Sequence, residues 1–299
     1  MKTFRTIISG FDFTPDSEAA LKEALRIAAE ENGSVVACHV VSPRYIDDQQ
    51  QFLNLPTDVI LSKVREAVGL RTAEIAGDGA VQPAIKVLIG RPEFALTDEA
   101  REIRAELLVL GAASEPKLRT GVIARRCIQE ASCPVLINRN HHGGRYHTIV
   151  AAVDLTDLSR QVLEAAAKIA VDEDASMQVI HAHYPPWLHP TNVLYDLKPS
   201  QDSDYQHQYQ ELLGEEMDQL IRASSQFLPI HPKPVVVEHV NPVSAVLNAV
   251  HSSKADLLTF GSRGPSSLKE RVLGTTAERL LLGSNCSILA VPPLETAIA

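Results

Sequence analysis

The chain is written twice, and that constrains its fold more than any other feature. The run IISGFDFTPDSEAALKEALRIAAEENGSVVACHVVSP from Ile7 aligns without a gap to IVAAVDLTDLSRQVLEAAAKIAVDEDASMQVIHAHYP from Ile149. Asp12 falls on Asp154, Thr14 on Thr156, Ser17 on Ser159, Ile27 on Ile169 and His39 on His181, all at one offset. Further on, Pro92 falls on Pro242, Gly111 on Gly261, Gly121 on Gly274 and Cys133 on Cys286, the offset growing as loops differ. A chain of 299 residues has room for two such copies, each with its own core. The expected domains are 1–140 and 147–299. NRNHHGGRYH, Asn138 to His147, is polar, holds two glycines and has no periodicity, so it reads as the linker.

Within a copy, short apolar runs alternate with helical patterns. In the second, TIVAAV, MQVIHAH, PVVVEHV, DLLTFG and CSILAVP read as strands. Between the first two, Val162, Leu163, Ala166, Ile169 and Ala170 recur at the spacing of one helix face. Strands buried on both faces and alternating with helices predict the α/β class. Each half is expected to be a doubly wound, Rossmann-like domain, a roughly five-stranded parallel sheet with helices on both sides. Thr156 or Asp157 can cap the first helix of the second copy.

Charge narrows the partners. With 37 acidic against 28 basic residues the formal charge is −9, which disfavours nucleic acid and anionic membrane surfaces. Small molecules and proteins are the expected partners. No apolar run approaches the roughly 20 residues of a membrane span, and the opening apolar stretch breaks at Asp12, so the reading is a cytoplasmic protein. Cys38, Cys127, Cys133 and Cys286 sit inside apolar patterns and read as buried free thiols.

Doubly wound sheets bind ligands beyond the carboxyl ends of their strands, where the strand order reverses. FGSRGPSSLKERVLGTTAERLL, residues 260–281, stands at such a place. Gly261 and Gly264 let a backbone approach a ligand, and Gly274-Thr275-Thr276 opens a helix whose amides and hydroxyls can face an anion. Two glycines three apart are a weak signal alone. The whole spacing, Gly261-x2-Gly264-x9-Gly274-Thr275, together with Asp154 ending the first strand, is stronger.

At these residues the chain resembles a tandem universal stress protein. ATP-binding members of that family carry G-2x-G-9x-G-(S/T), and the second copy reproduces it in full. The resemblance, which covers nearly the whole chain, implies the adenine-nucleotide α-hydrolase-like fold. It places Asp154 on adenine or ribose, Gly261 and Gly264 along the phosphates, and Gly274, Thr275 and Thr276 on the distal phosphates. Phe260 holds a position that packs near the base in the family, although a core role fits it equally. Arg263, Lys269 and Arg271 stand as phosphate neighbours. The implied cofactor is ATP, with AMP or ADP as alternatives and Mg²⁺ as companion; Asp154 is also open to a metal role.

The first copy departs from this pattern. It keeps Asp12 and Gly111, but Ser114 replaces the second glycine, the loop to Gly121 is shorter, and Val122 and Ile123 stand where Thr275 and Thr276 supply hydroxyls. This half is expected to bind ATP weakly or not at all. Arg119, Arg125 and Arg126 either attract another anion or form a solvated helix face.

Other chemistry is thinner. His181 and His183 share one face of a strand, a geometry open to metal, but no ligand signature supports it and His39 at the matching position suggests packing. Asp172 to Asp174 reads as a solvated helix end. PPWLHPTNVLYDLKP from Pro185 is either a lid or an ordinary surface loop. There is no Walker Gly-Lys-Thr, so the expected function is a nucleotide-binding stress-response or signalling module with at most slow hydrolysis, read by protein partners. The rivals are a slow ATPase and a nucleotide-free carrier or adaptor whose first half takes an apolar or anionic metabolite. CPVLI and CSILAV would be edge strands, which pair between protomers in the family. In one tandem chain they can pair with each other as an internal pseudo-dimer, leaving a homodimer of two chains open.

Overall fold

The strands of the described residues form one ten-stranded sheet. A computed structural model describes residues 4–112, 120–139, 144–188, 203–225, 230–263 and 272–293. Its strands are β1 (Thr6–Gly10), β2 (Ser34–Val41), β3 (Ala84–Ile89), β4 (Leu107–Gly111) and β5 (Val135–Asn138) in the first half. The second half holds β6 (Thr148–Ala152), β7 (Ser176–His183), β8 (Lys233–Glu238), β9 (Leu257–Gly261) and β10 (Ser287–Val291). Across the sheet the order is β3-β2-β1-β4-β5-β10-β9-β6-β7-β8. Pairing is parallel throughout each half, and the halves join where β5 and β10 run antiparallel. The expected α/β architecture is therefore present twice, and the two sheets are continuous.

The helices are α1 (Pro15–Glu31), α2 (Pro43–Leu53), α3 (Thr57–Ala76), α4 (Pro92–Glu102), α5 (Thr120–Glu130), α6 (Asp157–Glu173), α7 (Ser203–Ser225), α8 (Pro242–Ser253) and α9 (Thr275–Gly283). Local chemistry sets their ends. Thr14 Oγ1 accepts the Ser17 amide at 3.3 Å and Pro15 fills the first helical position of α1, where its missing N–H costs nothing. Asn32 and Asp174 close α1 and α6 in the left-handed conformation that ends many helices.

Successive strand residues point to opposite sides, so the sheet has two cores. Ile7 and Leu289 face α1, α3, α6 and α7, whereas Ile8 and Ile288 face α4, α5, α8 and α9. Each core runs through both halves. All four cysteines are free and buried, as their apolar context predicts. Burial pushes the Cys38 and Cys133 thiols up to about 12, which leaves them unreactive as nucleophiles at neutral pH.

The junction has a local two-fold axis. Leu136 stands opposite Leu289, and these two occupy matching positions of the repeat. Ile137 then faces Ile288 and Val135 faces Ala290, so the pairing is symmetric about that point. On the α1/α6 side, Arg26 reaches Glu173 at 2.6 Å, while Lys168, which matches Arg26, pairs with Glu31, which matches Glu173.

Two expectations need correction here. Asp172–Asp174 is not simply a solvated helix end: Glu173 is buried, because Arg26 of the other half neutralises it. The segment Asn138–His147 is not polar throughout: Asn138 ends β5 buried, and Tyr146 is fully buried with the Arg26 guanidinium 5.9 Å from its ring centre. Residues 140–143 lie outside the described residues.

Candidate functional site

In each half the strand order reverses between the first and fourth strands, which puts the crevice of the second half beyond the carboxyl ends of β6 and β9. Asp154 lies two residues past β6. Leu155, between Asp154 and α6, takes a left-handed φ of 59°, a costly conformation for leucine that its surroundings must hold. Asp154 does much of that holding. Its Oδ1 accepts the Thr156 amide at 3.2 Å, the Thr156 hydroxyl at 2.5 Å and the Ser159 hydroxyl at 2.8 Å. Ser159 Oγ in turn accepts the Asp154 and Thr156 amides, each at 3.2 Å. The carboxylate is thereby fixed in direction at the mouth of the crevice.

On the facing side, Gly261 ends β9 against the first turn of α6. A methyl group there would lie 2.7 Å from Leu158 Cδ2, so strand and helix pack closely and that side chain would have to shift to admit one. The chain departs at Ser262, whose amide bonds Val291 O at 2.8 Å, and returns at Gly274, whose amide bonds Ser262 O at 3.0 Å. Gly274 then caps α9 through its backbone, its carbonyl accepting the Glu278 amide at 2.9 Å. The amides of Thr275, Thr276 and Ala277 precede that first helical bond, so they and the exposed Thr275 and Thr276 hydroxyls offer a concentration of donors.

These parts surround one cleft of about 560 Å³, within the range of small-molecule sites. It brings together Asp154, Phe260, Gly261, Arg263, Gly274, Thr275 and Thr276, seven of the eight residues expected from the sequence. The eighth, Gly264, lies outside the described residues, as do Lys269 and Arg271. Phe260 is buried in the core and also lines the cleft. Arg263 also lines the cleft, and its Nη2 donates to the Gln129 carbonyl of α5 at 3.2 Å, tying the site to the first half. Sequence reasoning missed the apolar wall of Ala152, Val153, Ala182 and Val246. The alternation of β6 and β7 carries that signal only once their register is known. One end of the cleft is thus apolar and guarded by a carboxylate, and the other is rich in donors for an anion.

The first half repeats the frame around Asp12 and Gly111, with Val122 and Ile123 at the positions of Thr275 and Thr276. Asp12 Oδ1 accepts the Thr14 amide at 3.1 Å and hydroxyl at 2.5 Å, and Phe13 repeats the left-handed turn with φ 65°. Ser17, however, gives its hydroxyl to the Thr14 carbonyl at 2.9 Å rather than to the aspartate. Gly111 packs tighter than Gly261, since a methyl group there would lie 2.4 Å from the Asp16 carbonyl carbon. Residues 113–119, including Ser114 and Arg119, lie outside the described residues. Arg125 is neither a free anion site nor purely solvated, because its Nη1 pairs with Glu278 of α9 at 2.8 Å.

The histidines of β7 pack much as His39 suggests. His181 Nδ1 lies 3.0 Å from the Val153 carbonyl, as His39 Nδ1 lies 2.8 Å from that of Phe11. Its ring stacks on His183, and the His183 imidazole, pressed below its ordinary value chiefly by burial, meets Gln210 at 3.1 Å. Among the described residues no group of three or more His, Cys, Asp or Glu could hold a metal ion, and no helix is long and apolar enough to cross a membrane. Of the segment from Pro185, Pro186–Leu188 form a single 3-10 turn; 189–202 lie outside the described residues.

Fold and cleft together define a tandem doubly wound α/β protein with an open switch-point cleft in its second copy. The universal stress protein family profile matches residues 3–139 and again 145–292, and the chain belongs to that family. Among curated relatives, universal stress protein MJ0531 of Methanocaldococcus jannaschii is 27% identical over 144 residues, 45% of this chain and 81% of the relative. Universal stress protein A homolog 1 of Coxiella burnetii is 28% identical over 153 residues, 49% of this chain and 96% of its own. A solved universal stress protein from Archaeoglobus fulgidus shares the fold along the whole length. It has a TM-score of 0.64 at 15% identity and covers 97% of this chain and 98% of that one. A functionally unknown protein, PA1789 of Pseudomonas aeruginosa, aligns with the same TM-score at 17% identity, covering 98% and 94%.

Proposed function

We propose that this chain is an adenine-nucleotide-binding module that works through its second half, residues 147–299, while the first, residues 1–140, binds nucleotide weakly or not at all. The supporting observation is the meeting of Asp154, the glycine-lined end of β9 and the donor-rich start of α9 on one cleft of about 560 Å³. In this reading the apolar wall and Phe260 take the base, Asp154 takes the base or ribose, and Gly261, Arg263, Gly274, Thr275 and Thr276 take the phosphates of ATP, ADP or AMP, with Gly264 completing the loop. Mg²⁺ would accompany the phosphates.

Turnover is slow in this account. Asp154 is the one carboxylate among the described residues lining the cleft, and no histidine or second carboxylate lines it there to share the acid–base work of activating a water. The module would therefore act as an occupied or empty state that protein partners read. Because β5 and β10 pair within the chain, the strand pairing otherwise used between protomers is consumed internally, and a homodimer would need another surface. Mass spectrometry of ligand released from the purified protein tests the reading, with titration of Mg-ATP followed by melting temperature. Binding at a hundredfold excess over Kd adds about 2.7 kcal/mol to stability. Co-purified nucleotide and a thermal shift abolished by Gly274→Val are expected; neither nucleotide nor shift would overturn it.

A further inference from the structure

We propose that the first half carries a separate site for a small apolar monocarboxylate, in a pocket between β2, α2 and α3. The pocket has a volume of about 560 Å³, and neither Gly111 nor Arg125, beside which the sequence suggests an anion site, lines it. Val41 and Ile60 form its buried floor within a small apolar cluster that also holds Ile46. Phe13 and Tyr45 stand at its rim, 41% and 45% exposed, although burying either ring would be favourable. Two half-exposed aromatics on one concave apolar surface mark a place a ligand can cover.

Lys63 on α3 supplies the charge. It is exposed, lines the pocket and, among the described residues, meets no carboxylate within ion-pair distance. Among the described residues no acidic side chain lines the pocket with it. One ammonium beside an apolar cavity suits a single carboxylate on an aliphatic or single-ring body better than a dianionic phosphate.

The second copy shows the alternative. Its positions matching Val41 and Tyr45 are His183 and Trp187, and both are buried. Trp187 packs edge-on against Tyr205 and Tyr209, with ring centres 6.1 and 5.9 Å away, so aromatic side chains occupy the corresponding place. The two halves have diverged in opposite directions: one keeps the phosphate loop and fills this pocket, and the other loses the loop and keeps the pocket open.

This site is independent of nucleotide binding, and calorimetry on the full chain tests it with hexanoate, octanoate, decanoate and decylammonium. Affinity is expected to rise roughly fourfold per added methylene as apolar surface is buried. Decylammonium should bind at least tenfold more weakly than decanoate. Ala67→Trp, at an exposed position lining the pocket, should abolish decanoate binding, and Lys63→Glu should weaken it at least tenfold, with urea midpoints checking that both variants fold. Equal affinity for the amine and the acid, or wild-type decanoate affinity in Ala67→Trp, would overturn the proposal.

Discussion

Arg26 meets Glu173 at 2.6 Å across the junction between the two halves, and the guanidinium also reaches Glu23 at 2.7 Å. Burial works against the arginine's charge, but the hydrogen bonds to Glu23 and Glu173 outweigh it and hold the guanidinium above its ordinary value. With the reciprocal Lys168–Glu31 pair, this is the pattern of an isologous dimer contact drawn inside one chain.

Removing Arg26 leaves two buried carboxylates facing each other, so Arg26→Met should destabilise the protein by about 3–5 kcal/mol. Adding Glu173→Gln should recover part of that loss. Urea unfolding of the single and double variants measures the coupling, expected at about 1–3 kcal/mol. Simple additivity would mean that the two halves are not joined through this contact.

Arg125 and Glu278 occupy matching positions of the repeat and meet near the two-fold axis. In an assembly of identical copies such a position faces itself, like charge on like charge; duplication has allowed opposite signs. Both side chains are about one-third exposed, so the pair contributes only about 0.2–1 kcal/mol. Arg125→Glu should cost about 1 kcal/mol, and exchange of both residues should restore the wild-type urea midpoint.

The matching glycines should differ in tolerance. Gly111→Ala drives a methyl into the α1 backbone, whereas Gly261→Ala meets the end of the Leu158 side chain, which can turn aside. Both overpack, at about 1–3 kcal/mol, with Gly111→Ala the more costly in denaturant unfolding. The reverse order would contradict the close approach of α1 to β4.

His183 gives the stability a pH dependence. Burial holds its folded pKa below the usual 6.5, so below pH 6.5 the unfolded chain takes up a proton that the folded chain refuses. Its contribution is fully present above pH 6.5, falls as pH drops through 6.5, and levels off below the folded pKa. Between pH 7 and pH 5, Tm should fall less in His183→Gln than in the wild type. An identical fall in both would show that another group carries the effect.

Much of this was legible in the sequence because duplication exposes the frame. Asp12 on Asp154 and Gly111 on Gly261 locate both switch points, and the Gly274-Thr275-Thr276 start of α9 marks the better-equipped one. What stayed hidden depends on contacts between elements far apart in sequence. Glu173 reads as surface until Arg26 is seen beside it, since periodicity reports which face is apolar but not which half covers it. Arg263 bonding Gln129, and Arg125 bonding Glu278, follow from the β5–β10 register, which no local pattern encodes. The pocket beside Tyr45 is a difference in volume between two similar copies, and hydrophobic pattern does not measure volume.

The central claim, that one half holds a nucleotide and the other does not, is tested most directly by calorimetric stoichiometry with Mg-ATP. Asp154→Ala and Asp12→Ala make a matched pair, since each removes the same bonds to the threonine two residues on. The account predicts one nucleotide per chain, with affinity lowered at least about tenfold by Asp154→Ala, as loss of a charged hydrogen bond implies, and unchanged by Asp12→Ala. Two nucleotides per chain, or equal losses from the two substitutions, would contradict it.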